Sequence, residues 1–420
     1  MPVTDKLALD GGPRVRTEPL PVGRGLSVFG AEEMAAAVEV LESRSLFRYY
    51  GPQLLRKVEA FERAAIDALG ARHAVATSSG TAALRAGLAA LGVGCGDEVI
   101  VPSLTFIATI NAVVVSGAVP IFAEIDDTLG LDPADVAAKI TSRTACIIPV
   151  HLDNGACDMD PLMQVARQHG VPVLEDAAQA MGMRYKDRPL GTIGDLGAFS
   201  LQLEKNVTSG EGGLLLTNDE SLFLRAACYQ DQGGQFVTSS GAARGRDYPD
   251  PFVGENLRMT EIAGAIAEVQ LRKLPALLAS MRAHGAAIQA SIADLDGITF
   301  RRDPGGDGSG SSVGIFLPAA ELATRFIQAM RAEGVPVGQL YGGQPVYLTP
   351  SIVDKRTASG KGGPWNCAEH PTSVEYGPGL CPQTEDIAAR SVLIPVNAAY
   401  TETDCADVAA AVHKVLSAIS

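Results

Sequence analysis

Long hydrophobic runs are missing from this 420-residue chain. Its most apolar stretch, ATINAVVVSGAVPIF at 108–122, is broken by polar residues and a proline. It also falls short of the roughly 20 apolar residues that a membrane-spanning helix needs. The start, MPVTDKLALDGG, has no basic region followed by an apolar one, so no signal peptide is expected and the chain reads as cytoplasmic. Positive charge is scarce too: 34 Lys+Arg stand against 48 Asp+Glu, a net charge of −14. That balance repels nucleic acid and anionic membrane surfaces, and leaves room only for a local basic pocket that takes a small anion. The seven cysteines, at 95, 146, 157, 228, 367, 381 and 405, are scattered singly with no C-x-x-C pair. Neither a zinc nor a redox spacing is present, no metal is expected, and the thiols are expected to be reduced and mostly buried.

What the chain does have is an ordinary apolar share, 46%, enough to bury a sizeable core. From residue 73 to about 218, short apolar runs alternate with alanine-rich stretches. HAVATS, EVIVP, VPIFAEI, ACIIPVH, VPVLEDA, LGAFSL and GGLLLTN are apolar almost throughout, which predicts strands buried on both faces. TAALRAGLAAL, TFIATINAVVV, DPADVAAKI and DPLMQVARQHG between them predict helices. Strand and helix in alternation imply an α/β fold with a mostly parallel central sheet, whose ligands bind at the carboxyl ends of strands. AEEMAAAVEVLES and QLLRKVEAFERAAIDALG predict two earlier helices on either side of RSLFRYYGP, and a long helix is expected from about Thr260 to Leu295. The expected organisation is an N-terminal arm at 1–30, a large α/β domain at 31–285 and a small α+β domain at 286–420. Within the small domain, GGDGSGSS reads as a flexible turn, and 342–382 is a long Gly/Pro-rich insertion holding the single tryptophan, Trp365.

Three stretches carry chemistry. In ATSSGTAAL, 76–84, a strand gives way to a tight turn and a helix. Free N–H groups at such a helix start form an anion site, and the same turn also serves as a plain helix cap. In VPVLEDAAQAMG, 171–182, a strand delivers Glu175 and Asp176 at its carboxyl end. Asp176 can cap a following helix or keep a heterocyclic cation protonated, with Gln179 expected on the same side of the next helical turn. In SLQLEKNVTSGEGG, 200–213, Lys205 stands between an apolar run and a glycine-rich turn, behind Ser200. A lone lysine there marks a strand end. A lysine, a carboxylate and a phosphate cradle on one sheet are together what pyridoxal phosphate requires: an amine for the Schiff base, a partner for the pyridinium and donors for the phosphate.

The stretches 77–113, 138–151, 173–200 and 209–219, with GENLRMTEIAGAIAEVQLRKL at 254–274, resemble the DegT/DnrJ/EryC1/StrS family. The resemblance implies a fold-type I pyridoxal-phosphate-dependent aminotransferase acting on keto- or aldehydo-sugars or cyclitols. Glutamate or glutamine would be the donor and pyridoxamine phosphate the carrier. It implies Lys205 as the Schiff-base lysine and proton shuttle, Asp176 at the pyridinium nitrogen and Gln179 at the phenolic oxygen. It places Gly80, Thr81 and Ser200 on the phosphate and Phe106 stacked on the ring. Asn256 would reach the phosphate of a neighbouring subunit, so the active protein would be a homodimer with shared sites. Glu204 stands where the family more often has an uncharged residue, and Asp153-Asn154 where it often has an aromatic. Arg48, Tyr50, Asp153, Asn154 and Tyr341 are candidates for the substrate pocket. Relatives that dehydrate sugars carry histidine in place of the lysine, which Lys205 argues against. A non-catalytic sensor on the same fold is the remaining alternative.

Overall fold

The computed structural model describes residues 6–153, 155–238, 248–370 and 374–419. Helices α1 (Ala31–Ser43) and α2 (Lys57–Leu69) come first. The sheet region then runs through β1 (His73–Thr77), α3 (Gly80–Leu91), β2 (Glu98–Pro102), α4 (Ile107–Val115), β3 (Val119–Ala123), α5 (Pro133–Lys139), β4 (Thr144–Ile147), α6 (Met159–His169) and β5 (Leu174–Asp176). A short hairpin, β6 (Arg184–Tyr185) and β7 (Arg188–Pro189), precedes β8 (Leu196–Ser200), β9 (Gly213–Thr217), α7 (Glu220–Tyr229) and the 31-residue α8 (Glu261–Ser291).

Strands β3-β2-β4 form one ladder and β1-β9-β8-β5 another. Parallel bridges from Ile147 to Val173 and from Val150 to Asp176 lay the end of β4 beside β5, so the order across both is β3-β2-β4-β5-β8-β9-β1. Only β9 runs against its neighbours in this set, pairing antiparallel with β8 and β1. Helices cover both faces, which is why these strands are buried along nearly their whole length. The carboxyl ends of β2, β5 and β8 point the same way, and that edge receives Phe106, Asp176 and Ser200.

Beyond α8 lie β10 (Thr299–Phe300), β11 (Gly306–Asp307), β12 (Ser312–Phe316), α9 (Ala320–Ala332), α10 (Pro350–Val353), α11 (Pro382–Arg390), β13 (Ser391–Pro395) and α12 (Glu402–Ile419). Strands β10-β12-β13 form an antiparallel sheet backed by α9 and α12. Helix α8 serves two cores. Leu271 to Met281 pack under the large sheet, whereas Ile288 packs with α9 and α12. The arm also serves both: Leu7 and Leu20 are buried in the second core, and the Gly25 amide donates to the Lys205 carbonyl at 2.9 Å. Glu333 receives the amides of Ala8 and Val15 at 2.8 and 3.0 Å, and the Lys414 ammonium bridges Glu333 and the Pro13 carbonyl.

Two expectations are corrected here. GGDGSGSS is ordered: Gly306 and Asp307 pair with Tyr185 and Arg184, Arg282 donates to the Gly308 carbonyl, and Val396 donates to that of Ser311. Glycine is needed at 310, where φ is +74° and any Cβ would sit 2.4 Å from the Arg282 amide nitrogen. Close backbone packing, not freedom, explains the composition. The cysteines divide as well. Five are buried and unpaired, but Cys95 and Cys367 form a disulfide. Among the described residues no helix is long and apolar enough to cross a membrane.

Candidate active site

Lys205 lies in the loop after β8, held by its own amide on the Gln202 carbonyl and by the Gly25 amide on its carbonyl. The side chain is largely buried, and its ammonium has no hydrogen bond or ion pair among the described residues. Burial lowers the Lys205 pKa, and the Arg24 guanidinium lowers it further. Asp176, Asp153 and, least, Glu204 pull the other way without cancelling the drop. The carboxylate next in sequence is therefore weaker in effect on this amine than Arg24, Asp176 or Asp153.

Asp176 ends β5 and is buried. One carboxylate oxygen accepts the Thr109 hydroxyl at 2.8 Å and the other the Ala178 amide at 3.1 Å. Burial pushes its pKa up, against those two bonds and the positive charge of Lys205. A buried carboxylate so placed is best satisfied by a cation. No helix follows it: two successive turns do, with Ala180 donating to Ala177 and Met183 to Ala180. Gln179 is thus placed by a turn and not by the expected helical periodicity. Its Oε1 accepts the Asp153 amide at 2.9 Å, and its Nε2 faces the Tyr341 hydroxyl at 3.4 Å.

Helix α3 starts at the exit of β1. The Ser79 hydroxyl caps it by accepting from Ala82 at 3.1 Å, and Gly92, in the left-handed region at φ 81°, closes it. The Gly80 and Thr81 amides take no partner among the described residues and stay available to an anion. A Cβ on Gly80 would stand 2.8 Å from that of Ser200, so glycine is what lets the helix start meet the end of β8. Phe106 is 56% exposed rather than a core aromatic, and its ring centroid lies 6.2 Å from that of Tyr341. Asn256 is exposed, its backbone bridged to Asp231.

The pocket candidates separate. Asp153, at φ 50°, is buried with its carboxylate on Arg24 at 2.6 Å and on the Ser312 hydroxyl. Burial would raise its pKa, but Arg24 and Ser312 outweigh that and hold it low. Tyr341 and Phe106 line a cavity of about 420 Å³. Arg48 instead lines a separate one of about 380 Å³, with its guanidinium on Glu62 at 2.9 and 3.0 Å. Tyr50 packs with Phe47 and Phe236. Asn154 lies outside the described residues. Sequence reading missed Arg24, a single basic residue in a Gly/Pro-rich arm, and Thr109, whose only signal was a hydroxyl inside an apolar helix. It also missed His151, which takes the Cys157 amide on Nδ1 at 3.3 Å and so has Nε2 to donate to Glu175 at 2.8 Å. Glu175 in turn accepts the amides of Gly191, Ile193 and Gly194, fixing the loop beneath the site.

An unpaired amine, a buried carboxylate in need of a cation, and two free amides at a helix start fit pyridoxal phosphate. Because Arg24 depresses the Lys205 amine, Arg24→Gln is expected to move the pH midpoint for cofactor capture upward. Borohydride trapping across a pH series reads this, and an unmoved midpoint would show that Arg24 acts only on Asp153.

The fold is the fold-type I architecture found in pyridoxal-phosphate-dependent aminotransferases. The chain belongs to the DegT/DnrJ/EryC1/StrS aminotransferase family, whose model matches residues 28–413. It is 44% identical over 226 residues to the GDP-perosamine synthase of Caulobacter vibrioides, a match covering 54% of this chain and 59% of that protein. It is 38% identical over 299 residues to a putative L-glutamine:3-amino-2,3-dideoxy-scyllo-inosose aminotransferase of Streptoalloteichus tenebrarius, covering 71% and 69%. The X-ray structure of the aminotransferase from Psychrobacter cryohalolentis superposes with a TM-score of 0.79 at 30% identity, over 96% of this chain and 100% of that one.

Proposed function

We propose that this chain is a pyridoxal-phosphate-dependent aminotransferase that moves an amino group from glutamate or glutamine to the carbonyl carbon of a keto- or aldehydo-sugar or a cyclitol. The carrying observation is the Lys205 amine, largely buried, unpaired and depressed in pKa within the charge field of Asp176. When bound, pyridoxal phosphate supplies an electron sink that weakens bonds at the carbon bearing nitrogen. Lys205 Nζ would hold the cofactor and then carry a proton between carbons. Asp176 would keep the proton on the ring nitrogen, Gln179 would bind the phenolic oxygen, and Phe106 would cover one ring face. The Gly80 and Thr81 amides with the Ser200 hydroxyl would bind the phosphate. The relatives' names speak for a nucleotide-linked sugar or a cyclitol as acceptor. Such a product suits a secondary metabolite, an antibiotic among them, or a surface glycan, made in the cytoplasm. A donor-by-acceptor screen read by mass spectrometry tests the reading. Donor amino acids should bleach the yellow protein, and one acceptor class should return with nitrogen in place of its carbonyl oxygen. A protein that no amino acid bleaches would sink it.

The same reading divides the chain into an arm at 1–30, a large domain at 31–285 and a small one at 286–420, and makes it a homodimer. Two surface features support the dimer. Met34, Val38 and Leu41 leave an apolar stripe exposed on α1, and Val253, close to the exposed Asn256, is 94% exposed. Asn256→Ala should then weaken cofactor binding without loss of folding. Mixing it with Lys205→Ala chains, after verified subunit exchange, should restore up to about a quarter of wild-type activity, since about half of the dimers would be mixed and each would hold one intact site. No recovery would mean that each site is built from a single chain.

A further inference from the structure

Cys95 is exposed in the turn between α3 and β2, and Cys367, half-buried, is near the tip of the 342–382 insertion. They are 272 residues apart in sequence, with Cα atoms 6.5 Å apart. The surroundings are built for this approach. The Glu369 carboxylate is 2.8 Å from the Cys367 sulfur and 3.4 Å from that of Cys95. Gly96, at φ +93°, lies so close to Glu369 that a Cβ would meet its side chain at 3.0 Å. Next along, buried His370 bonds buried Glu98 at 3.0 Å. The returning limb is anchored by the Tyr376 hydroxyl, which donates to the Pro120 carbonyl at 2.8 Å and accepts the Trp365 indole N–H at 2.9 Å. The five other cysteines are buried and unpaired, so this is the accessible cysteine chemistry among the described residues. Exposed disulfides exchange with small thiols, unlike sequestered ones.

We propose that Cys95 and Cys367 form a reversible thiol–disulfide site that fastens the tip of the insertion to the turn ahead of β2. The oxidant is a low-molecular-weight disulfide such as oxidised glutathione. One cysteine thiolate attacks it, releasing one small thiol and leaving a mixed disulfide. The second cysteine then displaces the other small thiol, so two protein thiols are oxidised as one disulfide is reduced to two thiols. The Glu369 carboxylate disfavours thiolate formation and repels anionic glutathione, which slows the exchange in both directions.

The test uses full-length protein loaded with pyridoxal phosphate, equilibrated in glutathione buffers of graded thiol-to-disulfide ratio, then acid-quenched, alkylated and mapped by peptide mass spectrometry. A peptide pair linking Cys95 and Cys367 should appear with a definite midpoint while the other cysteines stay unlinked. Tryptic nicking at exposed Arg356 and Lys361 should run several-fold faster in the reduced protein. In Cys95→Ser it should be fast at every ratio. Glu369→Gln should speed exchange several-fold, a kinetic change that a merely structural carboxylate would not produce. Failure to link at any ratio, or linking with unchanged nicking, would overturn the proposal. So would stoichiometric zinc uptake by the reduced protein in place of linking, since the three side chains hold their ligand atoms within 4.8 Å of one another.

Discussion

Lys205→Ala is expected to leave a folded protein that binds pyridoxal phosphate non-covalently and transfers no amino group. The loss would be total because one atom, Nζ, would have two duties, and Lys205 is the lysine whose charge reaches Asp176 among the described residues. Arg24 is the nearest rival cation in charge effect, but a guanidinium stays protonated and cannot serve as nucleophile or base. The variant should lose the yellow covalent absorption and cease to be trapped by borohydride, while retaining the wild-type circular dichroism. Near-normal transfer would move the chemistry to another residue.

Asp176→Asn is expected to keep the cofactor and to lose about 10² to 10³-fold or more in rate, the scale for removing a preorganised charge from a dry site. The side chain keeps its shape: its one amide oxygen can still accept from the Ala178 amide, and its amide nitrogen can donate to the Thr109 hydroxyl oxygen. What it loses is the negative charge that would hold a proton on the ring nitrogen. The control is Thr109→Val, which removes one bond to the carboxylate and leaves its charge. That change should cost far less. Equal losses in the two variants would mean that Asp176 matters for local structure alone, and single-turnover kinetics with a donor amino acid separates the cases.

The sheet was legible because its strands are buried on both faces and read as unbroken apolar runs, and because Ser79 and Gly92 bracket α3 with residues whose chemistry starts and stops a helix. Lys205, Asp176 and the Gly80–Thr81 turn were legible for a related reason: polar residues at the ends of such runs stand out. Arg24 had no such contrast. It reaches Asp153 across 129 residues from an arm that has no periodicity. The cysteine pair likewise depends on where two distant loops meet, which no spacing encodes. Arg48, a pocket candidate, has its guanidinium paired with Glu62 of α2, a contact that no local spacing encodes. GGDGSGSS misled because glycine signals close contact as readily as freedom.

The arm has a consequence for how the protein is made. Arm residues find their partners far along the chain: Ala8 and Val15 on Glu333, Arg16 on Asp404 and Pro13 on Lys414. The large sheet can form as soon as β9 has emerged, since domains generally fold as they are synthesised. Arg24 and Gly25, beside Lys205, belong to the same arm, whose Arg16 and Pro13 contacts need α12 to be in place. The large sheet can therefore form before the contacts that anchor the arm are complete.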